Sequence, residues 1–145
     1  MRARKDSDDA TMTSPLSTLA RATLLVRDYD EALAFYRDVL GLQVVTDLVG
    51  PSGERMLHVG LANQTGVGLW LLKATTAADQ ALVGKQTGTH PMVLFYVADC
   101  RAAVAALAER GVKIVEPPTD RPRAVIAQLA DLYGNRIAVV QILTS

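Results

Sequence analysis

The sequence is poor in the residues that most often carry chemistry. Cys100 is the single cysteine, His58 and His90 are the only histidines, and Trp70 is the only tryptophan. One thiol excludes an intrachain disulfide and a cysteine-rich zinc centre, and it fits a reducing, cytoplasmic setting. No charge of either sign is in excess, because 15 Lys and Arg balance 15 Asp and Glu. A chain without a basic field lacks the electrostatic footprint of a nucleic-acid or anionic-membrane binder. Long apolar runs are missing too, and a stretch such as 67–72 is far too short to span a bilayer. No phosphate-binding loop, dinucleotide-binding glycine motif or Ser-His-Asp arrangement occurs.

What remains is a chain of one-domain size, 145 residues and half hydrophobic, enough to bury a core. Residues 1–15 are polar, charged and aperiodic, and are expected to be a disordered tail ahead of a domain over 16–145. Arg2, Arg4 and Lys5 have no apolar stretch behind them, so the tail is not read as a secretory signal. Met12 is an alternative natural start.

Residues 19–26 are apolar and rich in β-formers, which predicts a strand. Asp28 follows, with Glu31 three residues later, an aspartate version of a capping box. Ala32, Phe35, Tyr36, Val39 and Leu40 recur at helical spacing and form one face of an amphipathic helix, which Gly41 ends with a left-handed stop. Strand-like runs at 42–48, 55–61 and 67–73 come next, separated by turns at 51–53 and 63–66. The order then repeats. A strand at 91–97 precedes Asp99, an alanine-rich helix over 101–110, and Gly111. Strands follow at 112–115, 124–129 and 136–143, with turns at Pro117-Pro118 and at 131–135. Val26-x-Asp28 and Val97-x-Asp99 lie 71 residues apart, and Gly41 and Gly111 lie 70 apart. One deletion in the second helix therefore aligns two copies of one unit, over 18–75 and 88–143.

The aligned segments carry a resemblance. Thr23-Leu24-Leu25-Val26-Arg27-Asp28, followed by Ala34-Phe35-Tyr36-Arg37-Asp38-Val39-Leu40-Gly41, resembles the opening signature of the vicinal oxygen chelate superfamily. That group includes glyoxalase I, extradiol dioxygenases and bleomycin resistance proteins. Phe95-Tyr96-Val97-Ala98-Asp99 resembles the start of its second module. Asp131-Leu132-Tyr133-Gly134-Asn135-Arg136-Ile137 resembles its closing turn and strand, where the family usually has Asp-Pro-x-Gly-Asn. The resemblance implies an α+β fold of two tandem βαβββ modules that form a curled mixed sheet around a ligand-holding cup. It also implies a homodimer, and in the family's enzymes a divalent metal held by His, Gln or Glu, one from each of four strands.

This sequence fills the four matching positions with other residues. They are Arg21, Trp70, Met92 and Ala138. Guanidinium and indole have no lone pair for a metal, alanine has no donor, and a thioether suits hard divalent ions poorly. A shifted site would have to use His58 and His90, with Gln128 or Gln141; the spacing of the two histidines matches no metal motif. Arg21, facing a cup, calls for an anionic partner, either a protein carboxylate such as Asp47 or Glu54, or a ligand carboxylate or phosphate. Trp70 has two readings, a stacking platform for a planar ligand or a packed indole in the core or at a dimer interface. Arg123, with Arg121, precedes the seventh strand and stands either at the cup rim or in solvent. Cys100 opens the second helix and reads as an inert, structural thiol.

These residues predict a metal-free small-molecule binding protein without a cofactor, its ligand neutral or anionic, its cup formed by Arg21, His58, Trp70, His90, Met92, Arg123 and Ala138. The alternative is a glyoxalase-like lyase or dioxygenase with an atypical metal site. The expected partners are a small molecule and a second copy of the chain, with no nucleic acid and no membrane.

Overall fold

The computed structural model describes residues 13–64 and 66–144. The tail expected over 1–15 falls largely outside them. The first module runs β1 (Arg21–Val26), α1 (Tyr29–Leu33), β2 (Gln43–Val49), β3 (Arg55–Gly60) and β4 (Gly68–Lys73). A short helix α2 (Ala77–Leu82) lies in the linker. The second module runs β5 (Pro91–Tyr96), α3 (Cys100–Glu109), β6 (Lys113–Arg121), β7 (Ala124–Ala130) and β8 (Arg136–Ile142).

Each module makes one four-stranded mixed sheet, in the order β1-β4-β3-β2 and β5-β8-β7-β6. The first and last strands of each module pair in parallel, and the remaining neighbours are antiparallel. The two-module α+β architecture is therefore present, as two sheets with one topology.

The predicted caps form. Asp28 accepts from the Glu31 N–H and Asp99 from the Ala102 N–H, at 2.9 and 3.1 Å. Gly41 and Gly111 take φ of 85° and 89° at the helix ends, where a side chain would be strained.

Three features depart from the sequence pattern. The first helix leaves α geometry after Leu33 and continues as a π-helical turn over Ala34–Val39, with the Leu40 N–H donating to the Phe35 carbonyl at 2.9 Å. The wider turn carries the adjacent Phe35 and Tyr36 rings, which meet edge to face at 5.1 Å. Pro117-Pro118, expected to break the chain, lie inside β6. Its pairing with β7 is irregular between Glu116 and Thr119, and β6 is an outer strand, so the missing N–H groups cost no ladder bond. Helix α2 has no apolar periodicity to announce it and rests on its Thr76 cap, which accepts from the Asp79 N–H.

Strand alternation sorts the side chains onto two faces. Leu24 and Val26, Leu57 and Val59, and Leu69 and Leu71 turn to the helix side of the first sheet. Val125, Ala127, Leu129, Ile137 and Val139 do the same in the second. All belong to one continuous core with Tyr36, Cys100 and Val104. Each fully buried aliphatic in it contributes about 1.5–3 kcal/mol. The modules thus join through their helix-bearing faces. Two polar ties reinforce the joint: the Tyr36 hydroxyl donates to Asp131 Oδ2 at 2.6 Å, and Arg110 Nη1 donates to the Val39 carbonyl at 2.8 Å. The opposite faces of both sheets look outward.

Candidate functional site

The outward face of the first sheet is a row of aligned positions. Thr23 on β1 stands beside Trp70 on β4, Trp70 beside His58 on β3, and His58 beside Thr46 on β2. The imidazole and indole meet edge to face, 5.6 Å apart at 83°. Arg21 sits two residues before Thr23 on the same face of β1. It is half-buried and spends Nη1 on the carbonyls of Ala20 and Gly66, at 2.7 and 3.4 Å.

Three side-chain atoms here are buried with no hydrogen-bond partner among the described residues: Arg21 Nε, His58 Nδ1 and Trp70 Nε1. Buried polar groups are nearly always paired, so three orphans on adjacent strands single out this face. Burial, and secondarily the Arg21 charge, push the His58 pKa below its ordinary value. The imidazole is therefore neutral at neutral pH.

Neither proposed protein carboxylate serves Arg21. Asp47 lies opposite Leu57, on the helix side, where it holds Arg55 through two bonds of 2.9 and 2.8 Å. The same guanidinium stacks 5.3 Å over the Tyr29 ring. Glu54, just ahead of β3, makes no ion pair with Arg21. Among the described residues, Arg21 keeps its charge without a counter-charge.

The second sheet repeats the row with other chemistry. Leu94, Ala138, Gln128 and Glu116 stand side by side across β5, β8, β7 and β6. Ala138 thus occupies the place of Trp70, and Gln128 that of His58. Ala124, Ala138, Val140 and Ile126 form a small apolar cluster separate from the main core. Gln128 is turned aside by Arg136 Nη1, at 3.4 Å.

The remaining candidates stand apart. The β5 register slips at Met92, which packs against the main core and lines a groove with Gly68 and Phe95. His90 is exposed in the turn before β5, its backbone tied to Thr87. Arg123 is exposed in the β6–β7 hairpin. Cys100 is buried, its Sγ donating to the Val139 carbonyl at 3.6 Å, and burial raises its thiol pKa. An apolar hollow of about 550 Å³, open mouth included, lies on the helix side among Leu42, Phe95, Val97 and Leu129, away from all three orphan atoms.

One residue of this neighbourhood escaped the sequence reading. Gln86, in the linker, accepts from the Leu25 N–H at 2.7 Å and donates to the Thr23 carbonyl at 3.1 Å. Its amide stands in for a strand against the outer edge of β1. Nothing in the local sequence signals this, because the partner lies 61 residues away.

The metal that the fold suggests does not suit these side chains. The four matching positions hold a guanidinium, an indole, a thioether and a methyl group. No group of three His, Cys, Asp or Glu gathers anywhere among the described residues.

The fold agrees with comparison to known proteins. Residues 18–139 match the model of the glyoxalase/bleomycin resistance protein/dioxygenase superfamily, and the chain belongs to that superfamily. An uncharacterized protein of Shewanella frigidimarina (strain NCIMB 400) is 27% identical over 126 residues, 86% of this chain and 93% of its own. Among solved structures, UcmS2 superposes with a TM-score of 0.76 at 28% identity, over 86% of this chain and 98% of its own. TnmS3, an antibiotic binding protein from Streptomyces sp. CB03234, gives 0.73 at 25% identity, over 90% and 99%.

Proposed function

We propose that this chain is a metal-free small-molecule binding protein whose cup takes a neutral or anionic organic ligand. The observation that carries the reading is the substitution of Arg21 and Trp70, both without a lone pair, at the positions where the fold's enzymes place metal ligands, together with their orphan donors. TnmS3, which resembles the chain along nearly its whole length, is an antibiotic binding protein, and that supports an organic ligand of similar scale. The lyase or dioxygenase alternative needs an atypical site built from ligands shared across a dimer or from the two histidines, His58 and His90. One is in mid-β3 and the other is exposed in the turn before β5, so no observation favours it.

The cup is completed by a second copy. Both cup faces look away from the shared core, so one chain offers two half-cups that do not face each other. The proposed homodimer sets the Trp70 face of one protomer over the Ala138 face of its partner, a large side chain against a small one. Leu94 and Tyr96, 53% and 72% exposed on the free edge of β5, supply apolar surface for such a contact. A cytoplasmic location is supported by the buried, unpaired Cys100.

Two measurements test the reading. Elemental analysis of protein purified without chelator is expected to find no stoichiometric Zn, Ni, Mn or Fe, and a metal at one per chain would overturn it. A thermal-shift screen over a broad panel of organic compounds is expected to find stabilising ligands, since saturating binders raise the melting temperature by mass action. Silence across the panel, or stabilisation by amines alone, would count against the reading.

A further inference from the structure

The orphan atoms of the first half-cup say more than that something binds. Resting on the cup-binding reading, we infer that the ligand is an organic anion whose charged oxygen accepts hydrogen bonds from Arg21 Nε–H and Trp70 Nε1–H, with His58 beside it. Three observations lead there.

The first is direction. Guanidinium Nε–H and indole Nε1–H only donate, so whatever satisfies them must accept. Both donors are unpaired among the described residues of the chain itself. The second is charge. Among the described residues of its own chain Arg21 lacks a protein carboxylate, and Asp47 is spent on Arg55 on the opposite face of the sheet. A neutral carbonyl would satisfy the donors and leave the positive charge uncompensated, whereas an anion answers both, and hydrogen bonds between ionised groups are roughly twice as strong. The third is the neighbour. His58 stands against Trp70 with its Nδ1 also unpaired, and burial, then the Arg21 charge, disfavours the protonated ring. A neutral imidazole donates from one nitrogen and accepts at the other, so it adds a bond without adding charge. Thr23 and Thr46 flank the row and carry no charge. The equivalent row of the second module offers Ala138 in place of Trp70, so it lacks the indole donor.

Carboxylates and ionised phenols share this chemistry, and the test separates them. The probes are 2-naphthoate, 2,4-dinitro-1-naphtholate, 2-naphthamide and 2-naphthylmethylammonium, titrated by calorimetry into the full chain at pH 7.5. Because Trp70 is the only tryptophan, the protein has a single indole N–H resonance, which reads the cup directly. Binding by naphthoate or by the naphtholate, each moving that resonance downfield, is expected; whichever binds more tightly identifies the oxygen source. The amide and the ammonium are expected to bind at least tenfold more weakly. Arg21→Gln should cost the anion about tenfold or more and leave the amide unchanged, and Trp70→Phe, which keeps a ring and removes the N–H, about threefold to tenfold. Equal binding of anion and amide, an unmoved indole resonance on anion binding, or an Arg21→Gln chain that binds naphthoate normally would each overturn the inference while cup binding stands. If none of the four binds but other compounds of the broad panel do, the inference falls alone. If the whole panel is silent, the underlying reading falls with it.

Discussion

Tyr36 takes its hydroxyl into the fully buried joint between the modules, where Asp131 is its partner. Asp131 also accepts from the Tyr133 and Asn135 backbone N–H groups and from Asn135 Nδ2, so the closing turn is tied to the first helix by one carboxylate. Tyr36→Phe removes a charge-assisted bond and leaves Asp131 short of a donor. It should destabilise the chain by about 1.5–3 kcal/mol in denaturant titration. The joint also sets an alkaline limit. Burial and the nearby Asp131 charge raise the Tyr36 pKa, and burial followed by Glu31 pushes Tyr133 up to about 12. A raised folded pKa means that stability is complete below the unfolded value of 10.0 and declines as pH rises above it. His58 acts on the acid side. Its lowered folded pKa means that the unfolded chain takes up a proton first, so its contribution is complete above 6.5 and is lost as pH falls below that value. Melting temperature against pH should therefore be flat in the middle and drop at both ends, and His58→Gln should remove part of the acid drop.

Secondary elements were legible where their own residues supply the force. Asp28 and Asp99 announced helix starts, Gly41 and Gly111 announced helix ends, and apolar runs of β-formers between turns announced most strands. Asp28→Ala and Asp99→Ala should each cost about 1 kcal/mol by denaturant titration. Elements held by distant partners were not legible. Gln86 seals the edge of β1 from the linker, and Pro117-Pro118 sit in a strand because β6 is an outer one. Gln86→Ala should leave the Leu25 N–H and Thr23 carbonyl unpaired, and amide exchange at Leu25 should rise by an order of magnitude or more. The candidate site was half legible. The register that aligned the two copies located Arg21, Trp70 and Ala138, because ladder position follows chain position. Met92, also expected at the cup, lies beside a slip in β5 pairing and packs partly buried against the main core. The sequence offered Asp47 or Glu54 as a partner for Arg21, but Asp47 lies on the opposite face of the sheet, where it holds Arg55.

At the scale of the whole molecule, the proposed composite cup makes a sharp prediction. If each cup joins one protomer's Trp70 face to its partner's Ala138 face, Trp70→Ala and Ala138→Phe damage opposite halves. Homodimers of either variant should lose ligand binding, and Ala138→Phe, at a buried position, should also lower the melting temperature. Mixed dimers, formed by co-expression with two tags, carry both lesions in one cup and none in the other, so calorimetry should recover one site per dimer. No recovery would show that each cup belongs to a single chain.

The parallel pairing of first and last strands has a consequence for synthesis. In each sheet the strand made last, β4 or β8, is an inner one, flanked by the strand made first. A nascent module is therefore hollow until its final strand leaves the ribosome. The second sheet waits for residues 136–142. Until then β5 and β7 have no neighbour between them, and long-range parallel pairing is slow to form. A stop just before residue 136 would not trim an edge. It would take out the middle of a sheet.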